Sequence, residues 1–255
     1  MGIRQSFSWW CFEGRGASDE TLLTAAKEIG YEAVELLPDN KLHLAAEFGL
    51  RIASHPGHRL EANGLNSRAN HDAIEASILA NLSVATQFQI PNLIVFSGER
   101  NESFTEEEAI ENTAAGLLRV AAAAEDAGVN LIMELLNSRV DHRGYQCDST
   151  RWGAAVCNRV GSPNVGLLYD IYHMQIMEGD VIRTIQANSG HILHYHTAGN
   201  PGRNDLDETQ ELNYPAIFRA IRNTGYAGMV GHEFIPKGDP CAALESAFRL
   251  FSLAV

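Results

Sequence analysis

Along the chain, short apolar stretches alternate with longer ones in which apolar residues recur every three or four positions. The short stretches have β-type composition: 3–8 (IRQSFS), 33–37 (AVELL), 50–55 (LRIASH), 92–98 (NLIVFSG), 130–137 (NLIMELLN), 165–173 (VGLLYDIYH), 192–199 (ILHYHTAG) and 228–234 (GMVGHEF). Most are apolar nearly throughout, which is the pattern of parallel strands covered on both faces. The stretches between them carry helix punctuation. Ser18 opens one helix whose inner face is Leu22, Ala25, Ala26 and Ile29, and Thr105 with Glu108 spells a capping box, with Phe104 placed as its staple. Ile110, Ala114, Leu117 and Ala121 then mark a buried stripe at helical spacing. Gly30, Gly49, Gly128 and Gly225 each fall where a helix ends and a strand follows, the place for a left-handed cap.

Eight strand-then-helix units predict an α/β fold, a single-domain (β/α)8 TIM barrel over residues 1–255. An open doubly wound sheet is the rival, but no GxGxxG follows the first strand. No linker, low-complexity segment or composition break divides the chain. Its one polar excursion is 198–213, after the seventh strand.

Composition narrows the partners. Nineteen basic against 32 acidic residues give a net charge of −13, which opposes binding to a phosphate backbone. No apolar run approaches the roughly 20 residues that cross a bilayer. Four cysteines without CxxC pairing fit a reducing compartment. The expectation is a cytoplasmic protein with a small-molecule ligand, no nucleic acid and no membrane.

Polar residues interrupt the apolar strands in one region. Glu134, Asp170, His196 and Glu233 lie toward the C-terminal ends of strands five to eight, the end at which barrels build active sites. Any one of them alone reads as readily as a capped strand end, an ion pair or a satisfied core histidine. Four on consecutive strands can converge, and three converging carboxylates repel unless a cation joins them. An oxygen-rich set with one imidazole suits one divalent ion, Mn²⁺ or Mg²⁺ first, Zn²⁺ or Co²⁺ next.

YDIYHMQ (169–175), MEGD (177–180), NPGR (200–203), ELNYP (211–215) and ELLNSR (134–139), with FSWW and GYEAVELL nearer the start, resemble the hydroxypyruvate isomerase branch of the xylose-isomerase-like TIM barrels. The resemblance implies metal ligands at Glu134, Asp170 and Glu233, with the two glutamates also the catalytic acid/base pair. The remaining ligand position falls on His196, where hydroxypyruvate isomerases often carry glutamine and ketose 3-epimerases histidine. It further implies that His173, in D-x-x-H, contacts substrate. Asp141 falls one residue later than in the family pattern. From the residues themselves, Arg203 could offer a planar fork to a substrate carboxylate or phosphate, and His55 and His58 could line the pocket. Trp9 and Trp10 could form an apolar wall, and His194 and His232 neighbour the ligands.

The function these features imply is metal-dependent interconversion of a small α-hydroxy aldehyde and ketone through an enediolate, with hydroxypyruvate and tartronate semialdehyde as the first pair to consider. The alternatives are a ketose 3-epimerase, an apurinic-endonuclease-like enzyme and a non-catalytic sugar-binding barrel. Association into a homo-oligomer is also open.

Overall fold

A computed structural model describes residues 3–60 and 64–252. Its strands are β1 (Arg4–Ser8), β2 (Ala33–Glu35), β3 (Arg51–Ile52), β4 (His55–Pro56), β5 (Asn92–Val95), β6 (Asn130–Glu134), β7 (Val165–Asp170), β8 (Ile192–Thr197) and β9 (Met229–His232). The helices between and after them are α1 (Asp19–Ile29), α2 (Leu42–Glu47), α3 (His71–Phe88), α4 (Glu106–Ala127), α5 (Thr150–Val160), α6 (Ile171–Met177), α7 (Val181–Asn188), α8 (Tyr214–Asn223) and α9 (Pro240–Ser252). Every strand pairing is parallel, in the order β3-β2-β1-β9-β8-β7-β6-β5-β4.

The ninth strand comes from a break in the third predicted one. β3 pairs with β2 and β4 pairs with β5, so one extended segment, 51–56, serves both neighbours and brings the two ends of the sheet together. Backbone bonds from Ala53 N to Val34 O (3.0 Å) and Leu36 N to Ser54 O (3.1 Å) carry the β2 ladder across the break. The result is the expected TIM barrel in one domain.

Local chemistry places the elements as the sequence predicts, with shorter strands. Thr105 and Glu108 make the reciprocal capping box, and Ser18 caps α1 through Thr21 N. Ile110, Ala114, Leu117 and Ala121 are all buried on α4, while on α1 Leu23 joins Leu22 and Ala26 inside. Gly30, Gly49, Gly128 and Gly225 all take positive φ, between 65° and 117°, a region free of steric cost only for glycine. The strand expected over 165–173 stops at Asp170. The Oδ1 of Asp170 accepts the N–H groups of Tyr172 (2.8 Å) and His173 (3.2 Å), which turns the chain into α6 at once.

Candidate active site at the barrel mouth

Four neighbouring strands carry Glu134, Asp170, His196 and Glu233 to one point. Strand pairing sets Asp170 beside His196 and His196 beside Gly231. The Glu233 N–H then donates to Thr197 O at 2.9 Å, extending the β9 ladder by one residue. One ligand-type atom from each of the four lies within 4.8 Å of the others, and all four residues are buried. His196 Nδ1 is 3.1 Å from Glu233 Oε2 and 3.8 Å from Glu134 Oε1. Asp170 divides its two oxygens: Oδ1 caps α6, and Oδ2 faces His173 Nε2 at 3.6 Å and Arg203 Nη2 at 3.7 Å.

Three buried carboxylates this close raise an electrostatic conflict. Burial pushes the Asp170 carboxyl up to about 7, against the pull of Arg203. Burial also raises Glu233, but His196 and Arg203 outweigh it and hold that carboxyl well below the usual range. For His196, burial works against the proton, yet Glu233 and Glu35 keep the imidazole charged well above its ordinary pKa. A buried set of three carboxylates and one imidazole could hold a divalent cation, whose charge would relieve the repulsion.

The other predicted residues divide. Arg203 is at the site: its Nη2 donates to Glu233 Oε2 at 2.6 Å, and its guanidinium lies over the Trp10 and Tyr172 rings at 5.4 and 5.5 Å. His173 is fully buried beside Asp170, and Asn137 Nδ2 donates to its Nδ1 at 2.6 Å, leaving Nε2 without a hydrogen-bond partner among the described residues. His55 and His58 lie apart from these contacts. His55 Nε2 is 3.3 Å from Asp39, and both ring nitrogens of His58 bond to backbone, at Arg59 O and Phe96 N. The two line a cleft with Pro38, Asp39 and Arg59.

The tryptophan pair is not one wall. Trp9 is buried and donates to Glu13, whereas Trp10 is half exposed and donates its indole N–H to Glu233 Oε1 at 2.9 Å. His194 turns into the barrel, but alternation sends His232 outward among Tyr31 and Phe251, where it bonds Thr197 and Gln5. Asp141, displaced by one residue in sequence, accepts from Asn137 Nδ2 (2.6 Å) and Tyr172 OH (2.9 Å), so it steadies two groups around His173. Sequence reasoning missed Glu35, Trp10 as a hydrogen-bond donor, and Asn137. Glu35 did carry a signal, a carboxylate inside the apolar run AVELL; the other two carried none.

A parallel barrel with an acid–imidazole cluster where its strands end belongs to the TIM-barrel enzymes, and comparison with known proteins narrows the class. The model of the xylose isomerase-like TIM barrel family matches residues 23–251, and the chain belongs to that family. A human relative named putative hydroxypyruvate isomerase is 32% identical over 86% of this chain and 85% of its own length. A relative from Cupriavidus necator named 2-oxo-tetronate isomerase is 38% identical, over 49% of this chain and 47% of that protein. Among solved structures, one titled AP endonuclease, family 2, from Brucella melitensis superposes with a TM-score of 0.84 at 25% identity, covering 95% of this chain and 96% of the other. With relatives that carry isomerase names, the protein is an enzyme of the isomerase class. No helix among the described residues is long and apolar enough to cross a membrane.

Proposed function

We propose that the protein is a divalent-metal-dependent aldose–ketose isomerase acting on a small hydroxy-carbonyl acid, with hydroxypyruvate and tartronate semialdehyde as its substrate pair. The observation that carries this reading is the meeting of Glu134, Asp170, His196 and Glu233 within 4.8 Å. Those four side chains would hold the ion, with Mn²⁺ or Mg²⁺ favoured by the oxygen-rich set. A bound ion supplies Lewis-acid polarisation of the substrate carbonyl, which acidifies the neighbouring C–H.

The protein's own groups do the rest. Glu134 and Glu233 sit at the two ends of the four-strand arc, so a substrate lying between them has a carboxyl group on each side. Glu134 is the freer of the pair: its nearest ion-pair partner is His196 at 3.8 Å, whereas Glu233 is held by Trp10, His196 and Arg203. Glu134 removes one hydrogen of the hydroxymethyl carbon as a proton, and that C–H electron pair becomes the double bond of the enediolate. Glu134 then returns that proton to the former carbonyl carbon, which restores its carboxylate, while Glu233, held as a carboxylate by His196 and Arg203, takes the hydroxyl proton from one substrate oxygen and passes it to the other. Arg203, flanked by two aromatic rings, is the group that orients the substrate carboxylate, and His173 Nε2–H, without a protein partner, donates to a substrate oxygen. His55 and His58 serve at most the outer approach to the site.

The same glutamate pair would serve a ketose 3-epimerase, a reading favoured by histidine at position 196. Assay of hydroxypyruvate beside free ketohexoses, each with Mn²⁺, Mg²⁺, Zn²⁺ and Co²⁺, separates the two. Interconversion of hydroxypyruvate alone supports the isomerase. Turnover of a ketohexose with none of hydroxypyruvate replaces it with the epimerase. We place the enzyme in the cytoplasm, supported by four cysteines that are all free thiols.

A further inference from the structure

Beneath the quartet lies a second buried cluster in which Glu35, His194 and His196 also approach within 4.8 Å of one another. Glu35, on β2, is fully buried inside the barrel. Its Oε1 accepts from the Ser6 hydroxyl and its Oε2 from the Ser54 hydroxyl at 2.5 Å. His194 Nε2 bridges the two oxygens, 3.1 Å from Oε1 and 3.0 Å from Oε2, and His196 Nε2 lies 3.2 Å from Oε2. A carboxylate offers about four acceptor directions, and these four neighbours fill them. Glu35 therefore has no lone pair left for a cation of its own.

Gly231, on the strand beside His196, shows that the contact is built in. A Cβ there would stand 2.3 Å from Glu35 Oε1 and 2.9 Å from His196 Cδ2. The strand omits a side chain where carboxylate and imidazole must meet. A buried carboxylate is disfavoured unless partners compensate it, so its place under a ligand-type histidine calls for a use.

We infer that Glu35 is a positioning residue for His196: it holds the proton on Nε2, and so aims Nδ1 as a lone-pair donor at the point shared by Glu134, Asp170 and Glu233. The inference rests on the reading of the quartet as a cation site. Histidines that bind metals commonly give their other N–H to a carboxylate, which fixes the tautomer and strengthens the ligand, and loss of such a partner typically weakens metal binding by about 10- to 100-fold. Ser6, Ser54 and His194 in turn fix the direction of Glu35.

Calorimetric titration of the full chain with Mn²⁺ tests this, comparing wild type, Glu35→Gln and Ser54→Ala. The expected result is binding of about one ion per chain, weakened 10- to 100-fold in Glu35→Gln and less in Ser54→Ala, with the near-ultraviolet circular dichroism of each variant unchanged. Proton–nitrogen correlation spectra of histidine-labelled wild type loaded with Zn²⁺, a diamagnetic ion, should show the His196 proton on Nε2, a readout that needs no variant to fold. Unchanged Mn²⁺ affinity in Glu35→Gln or two ions per chain would each overturn the inference while leaving the quartet's reading in place, whereas a proton on Nδ1 would overturn it and remove His196 from the quartet as well. Wild type that binds neither ion would overturn both.

Discussion

Glu134→Gln and Glu233→Gln keep side-chain volume and remove the charge, so they separate chemistry from packing. Each is expected to lower kcat/KM for the isomerisation by at least about 100-fold, the lower range for a positioned acid or base, with a far-ultraviolet spectrum like wild type. Steady-state assay with saturating Mn²⁺ checks this, and full activity in both would remove the proposed acid/base pair. Gly231→Ala probes the floor of the site. Its Cβ would crowd Glu35 and His196, so urea denaturation should show a loss of about 1–3 kcal/mol, the usual range for an overpacked core. At this scale the quartet was legible because each member is a charged or polar residue in an apolar run, where burial without a partner is costly. Glu35 carries the same mark, but its strand stands apart in sequence from the four consecutive strands that hold the quartet. Trp10 could not be read in advance, since only folding brings its indole N–H to Glu233, 223 positions away.

Elements can be tested where they stand far from the chemistry. Thr105→Ala removes the hydroxyl that accepts from Glu108 N at the start of α4. Stability should fall by about 1 kcal/mol, typical of a lost N-cap, with kcat/KM unchanged; a loss of activity without a loss of stability would contradict the separation of scaffold and site. The caps, the α4 stripe and the glycine stops were readable because they depend on residues three or four apart. Strand ends were not. Asp170 is apolar-run interior by pattern, but its carboxylate takes two amide protons and ends β7 three residues earlier than hydrophobicity suggests. The third strand likewise divides, because 51–56 must pair with β2 on one side and β5 on the other, a demand that arises only on closure.

Over the whole molecule, protons and a divalent cation would compete for the same oxygens. The Asp170 carboxyl, pushed up to about 7 chiefly by burial, keeps its proton in the folded, metal-free protein where an unfolded aspartate, with a pKa of about 3.9, has lost it. Between those values the folded state binds more protons than the unfolded one, so the contribution of Asp170 to stability declines as pH rises through about 7. Metal binding needs the carboxylate, so affinity for Mn²⁺ should climb as pH rises through about 7, with protons released on binding. Titrations in buffers of differing ionisation enthalpy check this; an affinity independent of pH from about 5.5 to about 8.5 would count against Asp170 as a ligand. The barrel itself was the most legible feature, because eight repeats of one unit leave few alternatives. What repetition could not supply is the arrangement of Arg203, Trp10, Tyr172 and His173 around the quartet, on which the choice of substrate would depend in the proposed reading.

On the proposed reading one cation, held by Glu134, Asp170, His196 and Glu233, is needed for isomerisation. The most direct test is to strip the protein with a chelator, restore Mn²⁺ in steps, and follow conversion of hydroxypyruvate to tartronate semialdehyde. Activity should be absent at first, rise with each addition and level off near one ion per chain. Full turnover by the stripped protein would show that isomerisation needs no cation.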